Sequence, residues 1–227
     1  MRFLPTVSFL LLYCSGLYGQ DSTSEYSDMV SRIEQTRQAF GKLLAHNTGS
    51  AHDSIIASAR AYLLSTIIDT LFVSWYGTPW DFYGTTRVPG NGKIACGYFV
   101  TAVLSDAGLK IPRKKWAEVA SEIMIKAATI DIRRFRNRSI DDLEAYIKEK
   151  GVGIYIVGLD CHVGFIVNYR NEIRFVHSNY YHPETGVMSE PLKGQNPLND
   201  SRYRVIGKIL GNDMVRKWIR GEKIAAP

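Results

Sequence analysis

Between Lys150 and Gly153 the hydrophobic period of the chain changes, and that change sets its fold class. Before it, apolar residues recur every three or four positions, as on one face of a helix; after it, they alternate or run together as buried strands do. Ile154-Tyr155-Ile156-Val157, Cys161-His162-Val163-Gly164-Phe165-Ile166-Val167 and Ile173-Arg174-Phe175-Val176-His177 read as three strands. Turns fall at Gly158-Leu159-Asp160 and at 168–171, and Gly186-Val187-Met188 and the run 203–209 add two further strands. Links this short join antiparallel neighbours, which predicts a meander. Helices first and a sheet afterwards make an α+β domain.

The helical half reads as follows. Residues 21–30 are polar, and a loose N-terminus is expected there. Val30, Ile33, Phe40, Leu43 and Leu44 give an amphipathic helix from Met29 to Leu44, broken by His46-Asn47-Thr48-Gly49-Ser50. Asp53 or Ser54 is placed to cap a second helix carrying Ile55, Ile56, Ala59, Leu63, Ile67, Leu71 and Phe72. Trp116 to Ala128 reads as one helix, and 130–138 is ambiguous. Ser139 caps a helix with early acidic and late basic residues that Gly151 stops. Met214, Val215, Trp218 and Ile219 mark a last amphipathic helix.

A chain of 227 residues suits one domain with extra elements. Its net charge of +6 is scattered. The excess, densest at Arg133, Arg134, Arg136 and Arg138, lacks the interleaved aromatic pattern of a nucleic-acid binder, so no nucleic-acid partner is expected. His46 and His52 read as loop residues, and no Cys/His cluster has zinc spacing, so neither metal nor cofactor is expected. Residues 1–20 read as an export signal: Arg2 is the charged start, Phe3 to Tyr13 the apolar core, and Gly19 or Gln20 the place of removal. No later segment reads as transmembrane, so no stable membrane insertion is expected after removal, and the mature protein is periplasmic or extracellular.

The chemistry centres on Cys96. The glycine-rich turn at Gly90 and Gly92 delivers it to the first turn of an apolar helix carrying Phe99, Val100, Val103 and Leu104. Unpaired N–H groups and the helix dipole at that position favour thiolate, and the same N–H groups can hold an oxyanion. The competing reading is a small buried hydrophobe. The loop Trp75-Tyr76-Gly77-Thr78-Pro79-Trp80-Asp81-Phe82-Tyr83-Gly84 leads into this helix and is expected to line a site. His162 opens one strand and His177 ends the next, so they are cross-strand neighbours. A thiolate needs a histidine to take its proton and a polar group to orient that histidine. Asn179 follows two residues after His177 and is the reserve orienter; His182 stands outside.

The order Gly77-Thr78-Pro79-Trp80, Cys96-Gly97-Tyr98-Phe99-Val100, His162-Val163-Gly164-Phe165-Ile166 and Phe175-Val176-His177-Ser178 resembles the NlpC/P60 family over about residues 54–210. The resemblance implies a papain-like fold of N-terminal helices packed on a C-terminal antiparallel sheet, with 21–53 a helical extension and 54–227 the catalytic domain. It makes Cys96 the nucleophile, His162 the base and His177 the third residue, with Trp80, Tyr98 and Asn179 as substrate contacts. Trp80 stands where the family has a tyrosine. Family members usually carry Asp-Cys-Ser-Gly at the nucleophile, where this chain has Ala95-Cys96-Gly97, a change at groups that receive the free amine of a wall peptide.

The implied activity is a secreted thiol hydrolase cutting amide bonds in cell-wall peptides or another amide, without metal or cofactor. Two other readings compete with it. One is a peptide- or glycan-binding domain in which Cys96 and Cys161 form a disulfide, which strand alternation opposes if His162 faces Cys96. The other is a thiol acyltransferase or amidase acting on lipids or small amides.

Overall fold

The structure, a computed structural model, describes residues 18–225. The charged start and apolar core of the expected signal lie outside that range. Helix α1, Tyr18–Ala45, already runs through 21–30, where a loose terminus was expected. Tyr26 explains the difference: its hydroxyl donates to Asp106 Oδ2 at 2.6 Å and accepts from Trp75 Nε1 at 3.0 Å. Farther along, Ile33 and Leu44 are buried, whereas Leu43 is exposed.

Helix α2, Ser50–Thr66, passes through a π turn, Ile67–Leu71, into α3, Phe72–Trp75. Gly49 precedes its first turn and no side chain caps it, so Asp53 and Ser54 sit inside the helix rather than before it. Ser50–Trp75 is long and apolar enough to cross a membrane, contrary to the expectation that no segment after the leader is. In the fold, its stripe Ile56, Ala59, Leu63, Ile67, Leu71, Phe72 and Trp75 is buried in the core.

Helix α4 spans Cys96–Asp106. The helix expected over 116–128 is two, α5 (Arg113–Glu118) and α6 (Ser121–Ala128), because Val119 is extended between them. Strand β1, Ile132–Arg136, resolves the ambiguous basic stretch, and α7, Ile140–Lys150, follows. Ser139 caps α7 in a reciprocal pair: its hydroxyl accepts from Asp142 N at 3.1 Å and Asp142 Oδ2 accepts from Ser139 N at 3.2 Å. The remaining elements are β2 (Gly153–Gly158), β3 (Val163–Tyr169), β4 (Glu172–Ser178), β5 (Val187–Pro191), α8 (Pro197–Asp200), β6 (Tyr203–Lys208) and α9 (Asn212–Arg220).

The fold is mixed α+β, with one antiparallel sheet ordered β1-β6-β2-β3-β4-β5. The meander holds from β2 to β5; β6 then returns to lie between β2 and β1. Ile154, Ile156, Phe165, Val167, Val176 and Val205 join the core shared with α2, α4, α6 and α9. Tyr155, Val157, Ile166, Phe175 and Ile206 face the other way and pack with Leu143 and Ile147 of α7. Burial on both faces is why β2 reads as an unbroken apolar run. Phe99 of α4 anchors that helix to the sheet, its ring 6.0 Å from Phe165 and 6.2 Å from Phe72.

Candidate active site

Cys96 is the first residue of α4, and the chain before it is pinned. Ile94 N donates to Pro79 O at 2.9 Å, Ala95 N to Gly84 O at 2.8 Å, and Ser178 Oγ to Ile94 O at 2.7 Å. The aromatic loop and the end of β4 thus fix where the helix starts. Gly97 follows because a side chain there would strike the carbonyl oxygen of Ala117 beside α5. Close packing of α5 on α4 therefore accounts for glycine at this position.

Burial raises the pKa of the Cys96 thiol, although the backbone N–H groups of Val163, Gly97 and Cys96 act in the opposite direction. Desolvation thus opposes the thiolate preference expected of the helix terminus.

Strand β3 begins only at Val163. The residues before it form a turn closed by Leu159 N donating to His162 O at 2.8 Å. From that turn the His162 ring reaches His177: Nε2 of His162 lies 2.9 Å from Nδ1 of His177. His177 in turn places Nε2 at 2.7 Å from Glu190 Oε1. Glu190 sits opposite Phe175 in the β4–β5 ladder, two residues along from Met188, which pairs with His177; both therefore project from one face. Gly164 makes the arrangement possible, because a Cβ there would lie 2.8 Å from both His177 Cβ and Phe175 Cε2. The His177 ring stacks on Phe175 with centroids 4.0 Å apart.

With Glu190 ionised, these contacts set the tautomers. A carboxylate accepts, so His177 carries its hydrogen on Nε2 and presents a lone pair at Nδ1. That lone pair takes the hydrogen of His162 Nε2. His162 Nδ1 is left as the basic nitrogen, which is the role a cysteine's base requires. Burial, together with the neighbouring His177, pushes the His162 pKa well below its ordinary value, and burial pushes His177 down to about 3. Burial pushes Glu190 upward, while His182 and Arg174 pull it down.

Val163 N–H, at the start of β3, points at the Cys96 sulfur, and Cys161 is the neighbouring thiol, while the His162 ring lies against Phe175, His177 and Tyr180. No hydrogen bond joins the thiol to the His162 ring. Cys161 lies in the turn rather than in the strand, so the alternation argument against a 96–161 bridge does not extend to it. Both cysteines are free thiols here, and Cys161 Sγ is 3.6 Å from Tyr180 Oη.

Trp80 N donates to Pro183 O at 2.7 Å. Its ring lies 6.0 Å from Tyr180, whose ring lies 5.1 Å from His162, so Tyr180 stands between Trp80 and the histidines. Trp80 Nε1 is buried without an acceptor among the described residues. Tyr98 turns to α5 instead, donating to Glu118 Oε1 at 2.7 Å beneath the Arg113 guanidinium. Asn179 also stands apart from the histidines: its Oδ1 accepts from Tyr181 N at 2.8 Å, and its Nδ2 lies 3.1 Å from Met188 Sδ.

Glu190 is the residue that sequence reasoning missed. The strand that carries it reads as Gly186-Val187-Met188, which stops two residues short of it. The available signal was its place two residues beyond the partner of His177. Among the described residues no three His, Cys, Asp or Glu side chains gather as a metal-binding group. Scans of family models, curated proteins and solved structures return no match to this chain.

Proposed function

We propose that this protein is a thiol hydrolase that cuts amide bonds through a thioester on Cys96. The observation that carries the reading is the hydrogen-bonded row Glu190–His177–His162, which leaves a lone pair on His162 Nδ1 one residue before Val163, whose N–H points at the Cys96 sulfur. Thiol and imidazole start neutral, so proton transfer accompanies attack. The Cys96 sulfur bonds to the amide carbon as His162 Nδ1 takes the thiol proton. The Cys96 backbone N–H, at the helix start, holds the developing oxyanion. His162 then gives that proton to the leaving amine as the C–N bond breaks. Water attacks the thioester while His162 takes one of its protons, and the returning sulfur recovers that proton as the acid leaves.

The NlpC/P60-like order of motifs supports membership of that papain-like family and points to cell-wall peptides as substrates. The leader-like first 20 residues support export to where such peptides lie. Trp80 is the substrate contact nearest the row, through the Tyr180 ring that lies between it and His162. Release of new amines from purified wall fragments tests the reading. It stands if Cys96→Ala and His162→Ala both abolish release, and it fails if Cys96→Ala cuts as the wild type does.

A further inference from the structure

The N–H and C=O groups of Ile94 and Ala95, the residues just before Cys96, are all hydrogen-bonded. Ile94 N donates to Pro79 O at 2.9 Å, Ala95 N donates to Gly84 O at 2.8 Å, and Ala95 O accepts from Phe99 N at 2.8 Å as α4 begins. Those partners are backbone groups. Ile94 O takes a side chain instead: Ser178 Oγ donates to it at 2.7 Å, across 84 residues of chain. Ile94 and Ser178 are both fully buried, so water does not stand in for that hydroxyl.

Ser178 ends β4 and directly follows His177. In the β4–β5 ladder Ser178 pairs with Val187 and His177 with Met188. Val187 is held in turn by the aromatic loop: its N donates to Thr78 O and its O accepts from Gly77 N, both at 2.9 Å. Asn179 N donates to Gly186 O at 2.9 Å. One braced strand end therefore carries both the middle member of the histidine row and the hydroxyl that holds the residues before Cys96. A buried carbonyl that loses its donor regains a partner only by moving. A misplacement of about 1 Å at reacting groups costs on the order of 100-fold in rate.

We propose that Ser178 is a positioning residue for the reaction at Cys96: its hydroxyl fixes the start of α4 against β4, and so sets where the sulfur stands relative to the row Glu190–His177–His162. The inference rests on the thiol-hydrolase reading and adds to it a residue that acts through the backbone alone. Without the hydroxyl, Ile94 O turns toward water and draws Cys96 with it. The sulfur becomes easier to reach from solution, while its approach to the substrate carbon is spoiled.

The test compares the wild type with Ser178→Ala by two readouts. One is kcat and KM for amine release from a soluble wall peptide. The other is the alkylation rate of Cys96 by iodoacetamide at pH 8, read by peptide mass mapping so that other cysteines do not interfere. Ser178→Ala should lower kcat at least tenfold with KM within twofold, and should raise Cys96 alkylation at least threefold. Ser139→Ala, which removes the α7 cap, should lower the thermal midpoint and leave both rates within twofold. If Ser178→Ala does not fold, Ser178→Cys, whose longer and weaker S–H bond holds the carbonyl less firmly, should move both readouts the same way by more than twofold. Either rate staying within twofold of the wild type in the folded variant would overturn the proposal. A wild type that releases no amine would sink the hydrolase reading instead, and the alkylation rate alone then decides whether Ser178 positions Cys96.

Discussion

At the residue scale, the account rests on proton positions. Glu190 accepts from His177, His177 accepts from His162, and His162 keeps Nδ1 for the thiol. Glu190→Gln can turn an N–H toward His177 and reverse the row, so amide hydrolysis should fall roughly 10- to 100-fold with little change in thermal midpoint. A variant as active as the wild type would remove Glu190 from the account. The thiol itself gives a second prediction. Because burial raises the Cys96 pKa, its alkylation rate against pH should have a midpoint above the ordinary thiol value of about 8.5. A midpoint below pH 8 would mean that the helix terminus outweighs desolvation after all. Cys96, His162 and His177 were all legible in the sequence, since each sits at the boundary of a clear element. Glu190 was not, because it lies on a short edge strand whose pattern is cut off by Pro191.

At the element scale, the β3–β4 pair has to bring two imidazole rings together, and Gly164 clears the space. Gly164→Ala would push a methyl group into His177 and Phe175, so it should cost about 1–3 kcal/mol of stability as overpacking. Chemical denaturation measures this, and a change under about 0.5 kcal/mol, within the range of an ordinary surface substitution, would contradict the geometry. The central strands were readable because burial on both faces makes them uniformly apolar. Strand β1 was not: Arg133 and Arg134 are exposed while Phe135 is buried, so its sequence looks like a basic loop. Helix α1 hid for a related reason. Its early turns are polar, and a single tyrosine, Tyr26, ties them to Asp106 and Trp75. No local pattern announces a contact 80 residues away.

At the scale of the whole molecule, two buried neutral histidines couple stability to pH. Their folded pKa values are depressed, so the stability they confer is complete above the unfolded value of about 6.5 and is lost as pH falls toward the folded values. Between pH 6.5 and 4, unfolding free energy should drop by up to ~1.4 kcal/mol per pH unit for each histidine. His177→Asn should flatten that slope, and an unchanged slope would assign the acid lability to other groups. The sheet order also acts at this scale. The return of β6 between β2 and β1 depends on long-range pairing that sequence period does not encode, whereas the α+β class follows from the period change alone.

The most direct test of the site is the ring-nitrogen tautomer of His162 and His177, read by 15N NMR of the histidine-labelled protein at pH 7. The account predicts two neutral rings, each with its hydrogen on Nε2 and an unprotonated Nδ1. A hydrogen on His162 Nδ1, or a charged ring at either position, would leave Cys96 without a base and contradict the mechanism.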